Sequence, residues 1–216
     1  LRGKTFGIVG TGKIGRVFAE LLQGFGVRIL AYDMYPNAEA ARQLHIEYVS
    51  LEELYRNSDV ISLHCPLTPE NVHMINDEAI GMMKHGVYII NTSRGKLIDS
   101  AALIAGLKSR KIGGAGLDVY EEESDYFFED RSGYAIDDDI LARLMTFPNV
   151  LITSHQAFFT REAMTNISNV TLKNIEDFVK GRELVNCICY QCDGNRQCPG
   201  KGDHAAPCKS QPKPEA

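Results

Sequence analysis

The chain has 216 residues, 44% of them apolar and 24% charged, which excludes wholesale disorder and allows one large domain or two small ones. Lys and Arg number 23 against 28 for Asp and Glu, a net charge of −5 that argues against a nucleic-acid partner. No apolar run reaches the roughly 18 residues of a membrane span, and no secretory signal opens the chain. Leu1 rather than Met stands first, so a processed or truncated product is expected.

From Thr5 to about Ser154, β-rich runs alternate with helical patterns. The candidate strands are Thr5–Val9, Val27–Asp33, Val60–Cys65, Val87–Thr92, Gly114–Val119 and Val150–Ser154. Between the first two, Ile14, Val17, Phe18, Leu21, Leu22 and Phe25 recur at helical spacing and predict one apolar face, with Gly24 and Gly26 ending that helix. Glu78–Met83 and Ala101–Lys108 read as two further helices. This alternation predicts an α/β fold with a doubly wound parallel sheet.

Residues 121–139 are crowded with carboxylates, including Glu121, Glu122, Glu123, Asp125, Glu129, Asp130 and Asp137 to Asp139, relieved only by Arg131. All but one of these read as a solvated acidic loop. A last helix is predicted over roughly Arg161–Lys180, with Met164, Ile167, Thr171, Ile175, Phe178 and Val179 on one face and Gly181 as its C′ stop. Beyond Asn186 the composition shifts to Cys, Gly, Pro, Lys and Gln. Cys187, Cys189, Cys192, Cys198, His204 and Cys208 could hold zinc or an iron–sulfur cluster, but their spacing fits no standard zinc ribbon. The tail is read as reduced and disordered, with no metal site. Cys65, alone in an apolar stretch, reads as a reduced structural thiol, and the body as cytoplasmic.

Gly10-Thr11-Gly12-Lys13-Ile14-Gly15 is a G-x-G-x-x-G that leaves one predicted strand, opens a helix and precedes a second strand ending in Asp33. Gly10 permits a tight turn, Gly12 lets backbone approach a pyrophosphate, and Gly15 lets the helix pack closely. The helix N-terminus offers free N–H groups and the positive end of the dipole. Asp33 would accept from the adenosine ribose hydroxyls and repel a 2′-phosphate, and no Arg stands just after it. NAD is therefore expected over NADP; the bland alternative is a glycine-rich turn with no ligand.

Acid–base candidates are few. Arg94 and His155 each stand at a predicted strand end, and Glu123 follows shortly after the strand ending Asp118-Val119. A histidine can protonate a carbonyl oxygen while NADH delivers hydride to its carbon. A carboxylate beside it holds its tautomer and favours its protonated form, and a guanidinium can clamp a substrate carboxylate. On spacing alone each residue could equally be structural.

Four segments carry a family resemblance: Thr5 to Gly15, Ile61 to Thr68, Ile90 to Gly95, and Gly116-Leu117-Asp118-Val119-Tyr120. Over residues 1–186 the chain resembles the D-isomer-specific 2-hydroxyacid dehydrogenases. Within them it looks most like the fermentative D-lactate branch, through the loop Tyr126-Phe127-Phe128-Glu129-Asp130 and the run Ser154-His155-Gln156-Ala157-Phe158-Phe159-Thr160. The resemblance implies a Rossmann-type NAD-binding domain with catalytic Arg94, Glu123 and His155. Glu123 is selected because the family's glutamate stands five residues after the aspartate of the strand end. Cofactor contacts are implied at Lys13, Ile14, Asp33, Cys65, Pro66, Asn71, Thr92, Ser93 and Arg94, with Asp118 holding the nicotinamide carboxamide, alongside Gly10, Gly12 and Gly15 of the loop.

The implied activity is an NADH-dependent reduction of a small 2-oxo acid, pyruvate to D-lactate. The alternatives are a bulkier 2-oxo acid, an NAD-sensing binding protein or corepressor of the same fold, or an inactive piece. The implied division is 1–155 for the NAD-binding domain, 156–186 for a helix of the substrate domain, and 187–216 for the tail. Family members also carry an upstream substrate-binding half-domain of roughly a hundred residues and form homodimers, and both are expected of the complete protein. No membrane partner is expected.

Overall fold

The computed structural model describes residues 1–123, 126, 130, 133–182 and 185–186. The expectations for Asp125, Phe127, Phe128, Glu129, Arg131 and the cysteine-bearing segment 187–216 lie outside these residues.

Among the described residues there are seven strands: β1 Thr5–Val9, β2 Arg28–Tyr32, β3 Ile46–Tyr48, β4 Val60–Leu63, β5 Val87–Asn91, β6 Ile112–Leu117 and β7 Val150–Ile152. All pair in parallel, in the order β3-β2-β1-β4-β5-β6-β7. The helices are α1 Lys13–Gln23, α2 Ala38–Gln43, α3 Leu51–Asn57, α4 Asp77–Met82, α5 Ser100–Lys108, α6 Asp139–Met145 and α7 Arg161–Val179. The sheet is doubly wound, with the reversal of strand order falling between β1 and β4. All six predicted strands are found within a few residues of their predicted ends. The sequence pattern missed β3, a three-residue edge strand with Glu47 at its centre, and the short helices α2, α3 and α6.

Strand alternation sends side chains to both faces of the sheet. Phe6 and Ile8 of β1 join Ala19, Leu22, Ile29, Ala31 and Ile46 in one buried cluster. Val9 joins the larger cluster, with Leu54, Ile61, Leu63, Ile89, Leu103, Leu117 and Leu144.

The single apolar face expected of α1 is corrected. Gly15, Ala19 and Leu22 are buried with Phe18 half-buried, while Ile14, Val17, Leu21 and Phe25 are exposed. At 100° per residue, positions 15, 18, 19 and 22 form one stripe and positions 14, 17, 21 and 25 another. Gly15 decides which stripe faces inward, because a Cβ there would lie 2.0 Å from the Gly10 carbonyl oxygen.

The chain forms two units by its backbone contacts, Leu1–Ala157 and Phe158–Ala216. At the end of the first unit, the N–H groups of Gln156 and Ala157 donate to the Asp118 carboxylate (2.8 and 3.1 Å). In the second unit, Thr160 caps α7 by accepting from the Ala163 N–H (3.1 Å). Gly181 takes φ +62, with Gly181 N–H to Phe178 O (3.2 Å) and Arg182 N–H to Asp177 O (2.8 Å). This is a Schellman stop, as the sequence predicts. The predicted apolar residues Met164, Ile167, Ile175, Phe178 and Val179 are all exposed.

Candidate active site

Because all strands run the same way, their C-terminal ends share one edge of the sheet, where open α/β folds bind ligands. Nearly every residue singled out by the sequence lies along that edge.

On the β1–β2 side, Gly10 turns with φ +94, and its N–H donates to the Tyr32 carbonyl (2.9 Å). A Cβ on Gly10 would lie 2.7 Å from the Cys65 backbone nitrogen, so the turn presses directly on the end of β4. Gly12 differs: a Cβ there would meet nothing within 4 Å, so no protein atom accounts for a glycine at this position. It precedes α1, which has no side-chain cap and no acid in its first turn. The first N–H groups of the helix and its positive dipole end are therefore open to an anion. Lys13 and Ile14 follow, both exposed. These features fit the pyrophosphate of a dinucleotide.

Asp33 stands just past β2. Its Oδ2 accepts from the Thr11 N–H (2.6 Å) and hydroxyl (3.0 Å), and its Oδ1 accepts from the Tyr35 N–H (2.8 Å). Burial pushes this carboxyl up, but the Tyr35 and Thr11 bonds outweigh it and hold it below the ordinary aspartate value. Asp33 is thus an anion at neutral pH.

At the end of β4, the Cys65 carbonyl accepts from the Ser93 hydroxyl (2.5 Å), tying the β4 and β5 ends together. Burial pushes the Cys65 thiol up, so it stays protonated at neutral pH. Asn71 donates to the Pro66 carbonyl (2.8 Å) and accepts from the Thr68 N–H (2.8 Å), which spends its amide on shaping this loop.

At the end of β5, Thr92 and Arg94 are exposed. The turn is held by Asn91, a buried residue that sequence reasoning missed. Its amide donates to the Arg94 carbonyl (2.9 Å) and accepts from the Ser93 N–H (3.0 Å). A buried asparagine ending an apolar strand was the available signal. The Arg94 guanidinium donates to the Ser93 carbonyl (2.7 Å) and pairs with none of the described carboxylates. Next to it, a Cβ on Gly95 would lie 2.0 Å from the Tyr120 carbonyl oxygen, so this turn lies against the backbone leading to Glu123.

Glu123 and His155 meet. His155 Nδ1 lies 3.0 Å from Glu123 Oε1, although the residues are 32 apart in sequence. Glu123 Oε2 accepts from the Tyr120 N–H (3.1 Å). His155 has φ +51, and its N–H donates to the Asp118 carbonyl (2.7 Å). The Asp118 carboxylate accepts from the Thr153 hydroxyl and from the Gln156 and Ala157 N–H groups. Burial pushes the Asp118 carboxyl up, but these bonds together with nearby His155 outweigh it and hold it below the usual value. Asp118 therefore fixes, from within the protein, the turn that presents His155.

The acidic loop is not uniformly solvated, which corrects the expectation for Glu121 and Asp138. Glu121 is 18% exposed in its side chain, and its Oε1 lies 2.7 Å from His73 Nε2. Asp138 caps α6 through the Ile140 and Leu141 N–H groups (2.8 and 3.0 Å) and accepts from the Tyr120 hydroxyl (2.6 Å). Glu122 remains exposed. The carboxylates withdrawn from solvent are those beside β6 and at the start of α6, where His73 and backbone donors lie close.

A sheet of this order, with a glycine-rich turn after β1 and an acid after β2, defines a dinucleotide-binding domain. Residues 1–157 match the family model for the D-isomer specific 2-hydroxyacid dehydrogenase, NAD binding domain, and the chain belongs to that family. It is 56% identical over 184 residues to a D-lactate dehydrogenase of Escherichia coli, covering 85% of this chain and 56% of that protein. It is 50% identical to an aromatic 2-oxoacid reductase of Clostridium sporogenes, covering 88% and 57%. The structure of a pyruvate reductase of Chlamydomonas reinhardtii superposes with a TM-score of 0.81 at 47% identity, covering 86% of this chain and 56% of that one. The chain thus spans little more than half the length of the relatives it matches. Among the described residues no helix is long and apolar enough to cross a membrane.

Proposed function

We propose that this chain is the cofactor-binding and proton-donating part of an NADH-dependent 2-oxo acid reductase, with pyruvate as substrate and D-lactate as product. The observation that carries this reading is the 3.0 Å approach of His155 Nδ1, beyond β7, to Glu123 Oε1, beyond β6, with Arg94 beyond the adjoining β5 neutralised by none of the described carboxylates. Bound NADH supplies the hydride. With Nδ1 engaged by Glu123, His155 gives its Nε2 proton to the oxygen of the reacting carbonyl. Arg94 grips the substrate carboxylate with its planar fork, which orients the 2-oxo group toward His155. Gly10, Gly12, Lys13, Ile14 and Gly15 hold the pyrophosphate. Asp33 selects NAD over NADP, while Cys65, Pro66, Asn71, Thr92, Ser93 and Asp118 shape the remaining cofactor wall.

The assignment of α7 to a substrate-holding part of the protein belongs to the same reading, and the exposed apolar residues of that helix support it. So does a family-type homodimer, for which Val17 and Leu21 on α1 and Phe25 just beyond it offer an exposed apolar surface that sedimentation velocity can test. A cytoplasmic setting suits the free Cys65 thiol.

The decisive assay is NADH oxidation with pyruvate. It is run on the chain alone and on the chain joined to the part of the E. coli relative that it does not match. Reduction to D-lactate by the joined protein, lost on His155→Ala, is the expected result. Tight NADH binding with no reduction of pyruvate or phenylpyruvate by either form would favour a cofactor-sensing role instead.

A further inference from the structure

The edge strand β3 brings one hydroxyl into the cofactor-selecting machinery that the glycine motif does not contain. Tyr48, at the end of β3, pairs in register with Ala31 of β2, and its hydroxyl lies 2.8 Å from Thr11 Oγ1. Thr11 is 5% exposed, and it is the residue whose N–H and hydroxyl both reach Asp33 Oδ2. Proton counting fixes the direction of this chain. An ionised carboxylate only accepts, and a threonine hydroxyl has one proton to give. That proton goes to Asp33, so Tyr48 is the donor to Thr11.

The consequence lies in what remains of Asp33. A carboxylate offers about four acceptor positions. Two on Oδ2 are taken by Thr11, and one on Oδ1 is taken by the Tyr35 N–H. The carboxylate is thereby held on both oxygens, with an acceptor position left on Oδ1. A ribose hydroxyl can use that position, whereas a 2′-phosphate meets an anion that cannot swing away. Hydrogen bonds in series polarise one another, so the outer hydroxyl strengthens the inner bond.

We propose that Tyr48, acting through Thr11, is a positioning residue that locks Asp33 and so sets the discrimination of NADH against NADPH. The inference rests on the NAD-binding reading above. A tyrosine that merely packs the edge strand would influence folding and would shift both nucleotides alike.

The test is a fluorescence titration of the 216-residue chain with NADH and with NADPH. Tyr48→Phe removes only the hydroxyl, and it should raise the NADH Kd about fivefold, the size expected for one hydrogen bond. The NADPH Kd should stay within about twofold, so the preference ratio falls by several-fold. Thr11→Val, which breaks the relay at its middle, should lower the ratio at least as much. Thr11→Ser, which keeps the hydroxyl, should retain the parent ratio. If Tyr48→Phe does not fold, the Thr11→Val and Thr11→Ser pair decides the matter by the same ratio. An unchanged ratio in Tyr48→Phe or Thr11→Val, or equal loss of both nucleotides, overturns the inference while leaving the NAD reading intact. A parent chain that binds neither nucleotide overturns both.

Discussion

The nucleotide end of the sheet is built from one contiguous β-α-β stretch, in which Gly10, Gly12, Gly15 and Asp33 fall at fixed offsets around α1. The proposed proton-donating end draws Arg94, Glu123 and His155 from beyond three different strands. In the first region the geometry is local: a positive φ at Gly10, an uncapped helix start and a strand end follow from short-range sequence. In the second, the turn at 153–157 that carries His155 is held from a neighbouring strand end by Asp118, while Asn91 at the end of β5 holds the 93–94 turn that follows it. Binding should therefore fail through the first region and reduction through the second, and substitutions can separate the two.

The largest effect is expected at His155. His155→Ala should lower pyruvate reduction by about 10²–10⁴-fold, the usual range for a general acid, while the NADH Kd stays nearly unchanged. A comparable loss of NADH binding would erase the distinction between the two regions. Arg94→Lys should follow, with a fall in kcat/KM that exceeds any change in cofactor affinity, because an ammonium keeps the charge but not the fork.

Asp33→Ala tests the other end. NADH binding should weaken by roughly tenfold from the lost charge-assisted bonds, and NADPH binding should weaken less or improve because the repulsion is gone. Isothermal titration of the chain measures both.

A smaller effect tests the claim that the second region is held by tertiary bonds. Asp118→Asn should destabilise the chain by about 1–3 kcal/mol at neutral pH, since an amide cannot accept from all three donors at once. The folded pKa of Asp118 lies below its ordinary value of 3.8. Its ionic contribution is therefore fully present above that value and is lost as pH falls through the lower folded pKa. The melting-temperature gap between parent and Asp118→Asn should accordingly be constant near neutrality and narrow below pH 3.8. A gap that widened on acidification would show that Asp118 is not held as an anion. Glu121→Gln, at the His73 contact, should cost stability, whereas Glu122→Gln on the exposed neighbour should change nothing measurable in thermal melts.

Much of this arrangement was legible in the sequence. Strand-helix alternation, the G-x-G-x-x-G with its following acid and the Gly181 stop all rest on short-range backbone preferences, which a local pattern carries in full. The family resemblance extended this to Arg94, Glu123 and His155, residues that spacing alone left undecided. Short elements were less legible: β3 is three residues long with a glutamate in the middle, too little to show a period.

What only the tertiary structure decided are contacts between residues distant in sequence. The amphipathic pattern of α1 announced an apolar face but could not say which of two stripes faces the sheet; the approach of Gly15 to the Gly10 carbonyl did. The carboxylates at 121–138 looked alike in sequence, and the nearness of His73, Tyr120 and the α6 N–H groups separated Glu121 and Asp138 from the exposed Glu122. Tyr48 and Thr11 are 37 residues apart, and parallel pairing of β3 with β2 put their hydroxyls in contact. Hydrogen bonds and ion pairs act over a few ångströms of space, and sequence separation does not report that distance.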